Sequence, residues 1–107
     1  MTPETNSQNL ADPAPQPVTE ARRSVEICNQ RGLHARAAAR FVKTAAQFSA
    51  EVSVRKNGTA VSGRSIMGLM MLAAASGTVI EISATGSDAA AAVDTLARLI
   101  ECKFDED

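Results

Sequence analysis

The sequence predicts an α+β fold: a two-layer open-faced sandwich with a four-stranded, mainly antiparallel sheet covered on one face by three helices, in the order β-α-β-β-α-β-α. Three observations predict it. Short segments that alternate polar and apolar residues are interleaved with segments whose apolar residues recur every three or four positions. Asn57-Gly58 stands between two of the alternating segments, a strong hairpin signal because both central turn residues need positive φ. A single sheet cannot bury its apolar face alone, so the helical segments must cover one side.

The elements follow in order. Residues 1–20 read as a disordered tail: they hold all four prolines (Pro3, Pro13, Pro15 and Pro17), and Leu10 and Val18 are their only large apolar residues. Such a segment buries too little to offset its ordering entropy. The folded domain is expected over 21–107. Arg23 to Ile27 alternates as a half-buried strand, and Asn29 to Gly32 is a loop. Ala35 to Phe48 reads as a helix, with Ala35, Ala38, Ala39, Val42, Ala45 and Ala46 as its inward stripe. Glu51 to Arg55 and Thr59 to Ser62 are the hairpin strands. Ser65 can cap a short helix from Ile66 to Leu72. Thr78 to Ala84 is a strand with Ile80, Ile82 and Ala84 on one face. Ser87 can cap a last helix, Asp88 to Cys102, with Val93, Leu96, Leu99 and Ile100 inward. Asp105-Glu106-Asp107 reads as a frayed acidic end.

Composition narrows the function classes. The chain has 107 residues, a formal net charge of -1, no Trp, no Tyr and 3% aromatic residues. That suits one domain with a largely aliphatic core. It argues against base-stacking on single strands and against non-specific DNA binding, so no nucleic-acid partner is expected. Cys28 and Cys102 share no C-x-x-C, and His34 is the only histidine. Reduced thiols and no metal are the expectation, and no cofactor is called for. No apolar run is long enough to span a bilayer, and the N-terminus lacks the basic start and apolar stretch of an export signal. The expected setting is the cytoplasm, with no membrane partner.

Gly32-Leu33-His34-Ala35-Arg36 is the informative segment. His34 falls where a loop becomes a helix. Backbone N–H groups there lack internal partners and the helix dipole is positive, which suits an anion. An imidazole at that point can take a phosphoryl group on nitrogen, with the N–H groups and Arg36 receiving its oxygens. The positive helix end also favours the neutral, nucleophilic ring. Taken singly, a loop histidine is more often a surface residue, and Arg36 a solvated one. A helix as short as Ile66 to Leu72 cannot bury Ile66, Met67, Leu69, Met70, Met71 and Leu72 together, so part of it must form an exposed apolar patch suited to docking. Arg31, Arg36, Arg40 and Lys43 would steer acidic partners.

The same segment resembles the active-site signature of the HPr phosphocarriers of the bacterial phosphotransferase system. Ser65-Ile66-Met67-Gly68-Leu69-Met70 resembles the stretch around that family's regulatory serine, at the family's distance. The similarity covers roughly 21–104, and the ending Phe104-Asp105-Glu106-Asp107 resembles the nitrogen-related branch. The resemblance implies a phosphoryl carrier, not a turnover enzyme: a monomer that accepts phosphate on Nδ1 of His34 from enzyme I and passes it to a IIA-type protein. It implies that Arg36 contacts the phosphoryl group. It implies that Ser65 is the substrate of an HPr kinase/phosphorylase, and that Ile66, Met67 and Met70 form the docking patch. One departure is Ala37, where the family usually has proline; Ala37 keeps an N–H that proline lacks. Two other readings stay open: a regulatory binding module switched at Ser65, and an unrelated α+β module for small ligands, metals or RNA. The missing C-x-x-C and aromatics count against the latter.

Overall fold

The computed structural model describes residues 19–106. The elements are β1 (Glu20–Glu26), α1 (Ala35–Ala45), β2 (Glu51–Lys56), β3 (Thr59–Ser62), α2 (Ile66–Met71), β4 (Val79–Thr85) and α3 (Ala89–Glu101), followed by a short 3-10 turn, Lys103–Asp105. The sheet order is β1-β4-β2-β3, and every pair is antiparallel. This is the predicted open-faced sandwich. The tail expected over 1–20 lies outside the described residues except for Thr19 and Glu20. Glu20 already pairs with Thr85, and Gly86 N–H donates to the Thr19 carbonyl.

The register explains why one face is covered and the other wet. Val25 lies opposite Ile80, Val54 opposite Ile82, and Val52 opposite Ala84, and all six are buried. Residues one step away point outward: Ser53 and Ser83 share a hydrogen bond of 2.9 Å, and Arg55 faces Glu81 at 4.0 Å. A one-residue slip would exchange these sets. Arg23, opposite Ile82, shares the inner face at the sheet edge, where its guanidinium reaches Glu101 (2.9 Å) and Asp94 (3.7 Å) of α3. Among the described residues, no helix is long and apolar enough to cross a membrane.

Two helix assignments shift. On α1 the buried residues are Ala37, Ala38, Phe41 and Ala45, whereas Ala35 and Ala39 are exposed. Alanine weakly determines which face turns inward; Phe41, fully buried, sets the phase because it carries the most area to hide. The core is aliphatic with two exceptions, since Phe41 and Phe104 are its largest fully buried side chains. On α3, Asp88 rather than Ser87 occupies the N-cap position, and Leu99 is only partly buried. Asp88 makes no cap bond; its two carboxylate oxygens accept from the Ser49 and Ala50 N–H groups, each at 2.8 Å, and tie the α1–β2 loop to α3.

Candidate functional site

The site is built where the chain leaves β1. Asn29 O accepts from Gly32 N–H, closing a turn, and Leu33 N–H donates to the Ala74 carbonyl at 2.9 Å. Gly32 has φ +68, and a Cβ there would lie 2.6 Å from the Ala74 oxygen. Glycine is therefore required both by conformation and by the close approach of the two loops. Leu33 is buried and fixes the next residue, His34, as the N-cap of α1. The His34 carbonyl accepts the first helical bond, from Ala38 N–H at 2.8 Å, while its side chain makes no cap bond. The imidazole is therefore not committed to the helix end.

That ring is not simply exposed, as a position at a helix start suggested: its side chain keeps 16% of its surface. The cover is Glu106. Its carboxylate lies 2.9 Å (Oε1) and 3.0 Å (Oε2) from His34 Nε2. The same Oε1 accepts from Asn29 Nδ2 at 2.9 Å, and Nδ2 also donates to the Gly32 carbonyl at 2.8 Å. Both amide hydrogens of Asn29 face acceptors, so the orientation of this fully buried side chain is determined. Asn29, His34 and Glu106 form a three-residue network spanning 77 positions of sequence.

The acidic end is thus not frayed at Asp105 and Glu106. After α3, Lys103, Phe104 and Asp105 all take positive φ (57, 55 and 59), and the chain reverses onto the β1–α1 loop. Phe104 is fully buried, and Asp105 pairs with Arg40 of α1 at 3.3 Å. Sequence reasoning missed Glu106 and Asn29. The available signal was Phe104, a large apolar residue in an acidic tail, which needs burial and so must bring its neighbours back to the domain.

His34 holds the Glu106 carboxyl below the ordinary glutamate value of 4.5; burial opposes this, and Asn29 and the charges of His34 and Arg31 add to it. A depressed acid contributes stability that is fully present above its unfolded value and is lost as pH falls through its folded value. A carbon-detected NMR titration should therefore give Glu106 Cδ a midpoint below 4.5. A midpoint at or above it would mean the carboxyl is not held by His34.

The other expected site residues divide into two groups. Arg36 is exposed in the first turn of α1 and makes no ion pair among the described residues; Arg31, Arg40 and Lys43 are exposed as well. Arg31, Leu33 and His34 line one side of a small open depression of about 200 Å³, with Ala73, Ala74 and Ala75 opposite. Ser65 is the N-cap of α2, its Oγ accepting from Gly68 N–H at 2.9 Å. Leu69 and Leu72 of this segment are buried, and Ile66 (41%), Met67 (71%), Met70 (41%) and Met71 (79%) are exposed. Cys28 Sγ donates to the Ile100 carbonyl at 3.3 Å, and Cys102 is a free, exposed thiol. Among the described residues no three metal-ligating side chains cluster.

Comparison with known proteins finds relatives that match most of the described residues. The family described as "PTS HPr component phosphorylation site" matches residues 21–102. The chain is 55% identical over 85 residues to phosphocarrier protein HPr of Neisseria meningitidis, covering 79% of this chain and 96% of that one. It is 40% identical over 89 residues to phosphocarrier protein NPr of Shewanella violacea, covering 83% and 98%. The crystal structure of HPr-C-His from Thermoanaerobacter tengcongensis superposes with a TM-score of 0.78 at 45% identity, covering 81% of this chain and 98% of that one.

Proposed function

The chain belongs to the HPr family of phosphocarriers of the phosphotransferase system, and on that premise we propose that it takes a phosphoryl group from enzyme I onto Nδ1 of His34 and hands it to a IIA-type acceptor in the cytoplasm, as a monomer. The observation that carries this reading is the contact between His34 Nε2 and Glu106. An ionised carboxylate only accepts, so Nε2 carries the hydrogen, and in the neutral ring the lone pair then sits on Nδ1. A nucleophilic nitrogen at a helix start, beside unpartnered first-turn N–H groups and the exposed guanidinium of Arg36, has what a phosphoryl acceptor needs. Ala37 fits here: it is fully buried, and it leaves one more N–H in that turn than proline would.

Arg36 is assigned the phosphoryl oxygens. Ile66, Met67 and Met70 are assigned to docking, because they are exposed on a helix whose inward side is already filled by Leu69. The test is incubation with phosphoenolpyruvate and enzyme I, followed by intact mass under non-acidic conditions. Gain of one acid-labile phosphoryl group is the expected result; no gain overturns the reading.

A regulatory role at Ser65, through an HPr kinase/phosphorylase, is the alternative that one contact favours: its Oγ already faces the Gly68 N–H. A phosphate there would meet that donor while standing at the edge of the exposed patch, where a partner must desolvate it. Ser65→Asp is expected to melt at or above the wild-type temperature yet to receive phosphate from enzyme I several-fold more slowly, about 1 kcal/mol in barrier. Equal transfer rates would leave Ser65 as a helix cap alone.

A further inference from the structure

We infer that Glu106 is a positioning residue for phosphoryl transfer: it keeps the proton on Nε2 of His34 throughout the cycle, so that the ring always departs from phosphorus as a neutral imidazole. The inference rests on His34 being the phosphoryl acceptor.

The balance of the step shows why that proton matters. The resting ring is neutral, with hydrogen on Nε2 and a lone pair on Nδ1. The lone pair forms the Nδ1–P bond while the donor's bond to phosphorus breaks, its electron pair staying with the donor. The ring then carries both Nδ1–P and Nε2–H and is positively charged. In the outgoing step the Nδ1–P bond breaks, its pair returns to Nδ1, and the acceptor bonds to phosphorus. The ring is neutral again. No proton enters or leaves in either direction. If Nε2 lost its proton while phosphorylated, the leaving group would be an imidazolate anion, and transfer would slow.

The geometry suits Glu106 to prevent that loss. Both carboxylate oxygens lie within 3.0 Å of Nε2. The carboxylate is 17% exposed and is held by Asn29 from one side and by the Phe104-anchored turn from the other. An ionised carboxylate can only accept, so in this contact it holds the hydrogen on Nε2. Among the described residues, the other charged and titratable groups on the surrounding elements are Cys28 and Arg31 on the loop, Arg36, Arg40 and Lys43 on α1, and Cys102, Lys103 and Asp105 at the C-terminal turn. Arg40 is occupied by Asp105, and the Ala73–Ala75 segment, itself uncharged, carries the Lys56 ammonium on its Ala73 carbonyl at 3.1 Å. All of these are shared by a Glu106 variant, so they drop out of a comparison with wild type.

The experiment loads wild type, Glu106→Gln, Glu106→Asp and Glu106→Ala from phosphoenolpyruvate and enzyme I, then removes the donor. Loss of phosphate to water is followed against pH, with ¹⁵N NMR of the ring nitrogens in parallel. In wild type, Nε2 should remain protonated, and phosphate should remain transferable, to higher pH. The alkaline limb of Glu106→Gln should fall about one pH unit lower, with Glu106→Ala at least as low. Glu106→Asp, which keeps the charge on a shorter arm, should lie between wild type and Glu106→Gln. A merely structural role would change stability without moving this limb. Superimposed profiles for wild type and Glu106→Gln, or an alkaline limb for Glu106→Asp below that of Glu106→Gln, overturn the inference. Failure of wild type itself to gain phosphate overturns instead the carrier reading on which it rests.

Discussion

His34→Ala should remain folded and accept no phosphoryl group. In the same assay that loads wild type, the expected signal is loss of the acid-labile species by at least about a thousandfold, near 4 kcal/mol in barrier. Folding should survive because the ring's hydrogen bond is to Glu106 at the edge of the domain, and the helix start depends on the His34 carbonyl, which alanine retains. The carboxylate left behind keeps Asn29 Nδ2 as donor and gains access to water through the space the ring vacates. Thermal unfolding and far-UV dichroism check the fold, and intact mass under non-acidic conditions checks the chemistry. Acid-labile phosphate on the variant would sink the assignment of His34. An acid-stable species would not, since that is the behaviour of a phosphoserine and would direct attention to Ser65.

What could be read from sequence divides along the range of the interactions. The β2–β3 hairpin is legible because its cause is local: Asn57 and Gly58 take φ 49 and 83, as the turn demands. The Ser65 cap is legible for the same reason, its partner lying three residues away. The N-terminal placement of His34 on a helix is legible from the glycine before it and the alanine run behind it. Elsewhere local rules mislead. Ser87 looks like a cap, yet the chain uses Asp88, whose carboxylate serves two N–H groups 38 and 39 residues back. The α1 stripe drawn through alanines is rotated because alanine carries almost no preference, and Phe41 decides the face. The site is legible in half. His34 and Arg36 lie in one pentapeptide, whereas Asn29 and Glu106 meet across 77 positions. Acidity at the chain end reads as solvation when the tertiary partner is unknown.

Phe104→Ala should be the most destabilising single change at the C-terminal end, and its size follows from two opposed effects. Removing a fully buried phenylalanine typically costs about 3–5 kcal/mol in lost burial and cavity formation. Against this, Lys103, Phe104 and Asp105 hold left-handed backbone that costs non-glycine residues on the order of 1 kcal/mol each, and the turn can relax once its anchor is gone. Only a part of that strain, about 1 kcal/mol in all, is released while α3 and Arg40 still hold the two ends of the turn, so the net loss should sit near the low end, about 3 kcal/mol by urea unfolding, a large share of the stability of a domain this size. Phe104→Leu, which fills most of the volume, should cost less than about 1.5 kcal/mol. The consequence reaches the site. Glu106 is delivered to His34 by this turn, so in Phe104→Ala, measured where it is still folded, the Glu106 carboxyl should titrate closer to 4.5 than in wild type, while Phe104→Leu should keep the wild-type midpoint. A loss below about 1 kcal/mol for Phe104→Ala would mean that the aromatic ring is not what holds the reversal. An unchanged Glu106 midpoint in a destabilised Phe104→Ala would mean that Asn29 and His34 seat the carboxylate without the turn.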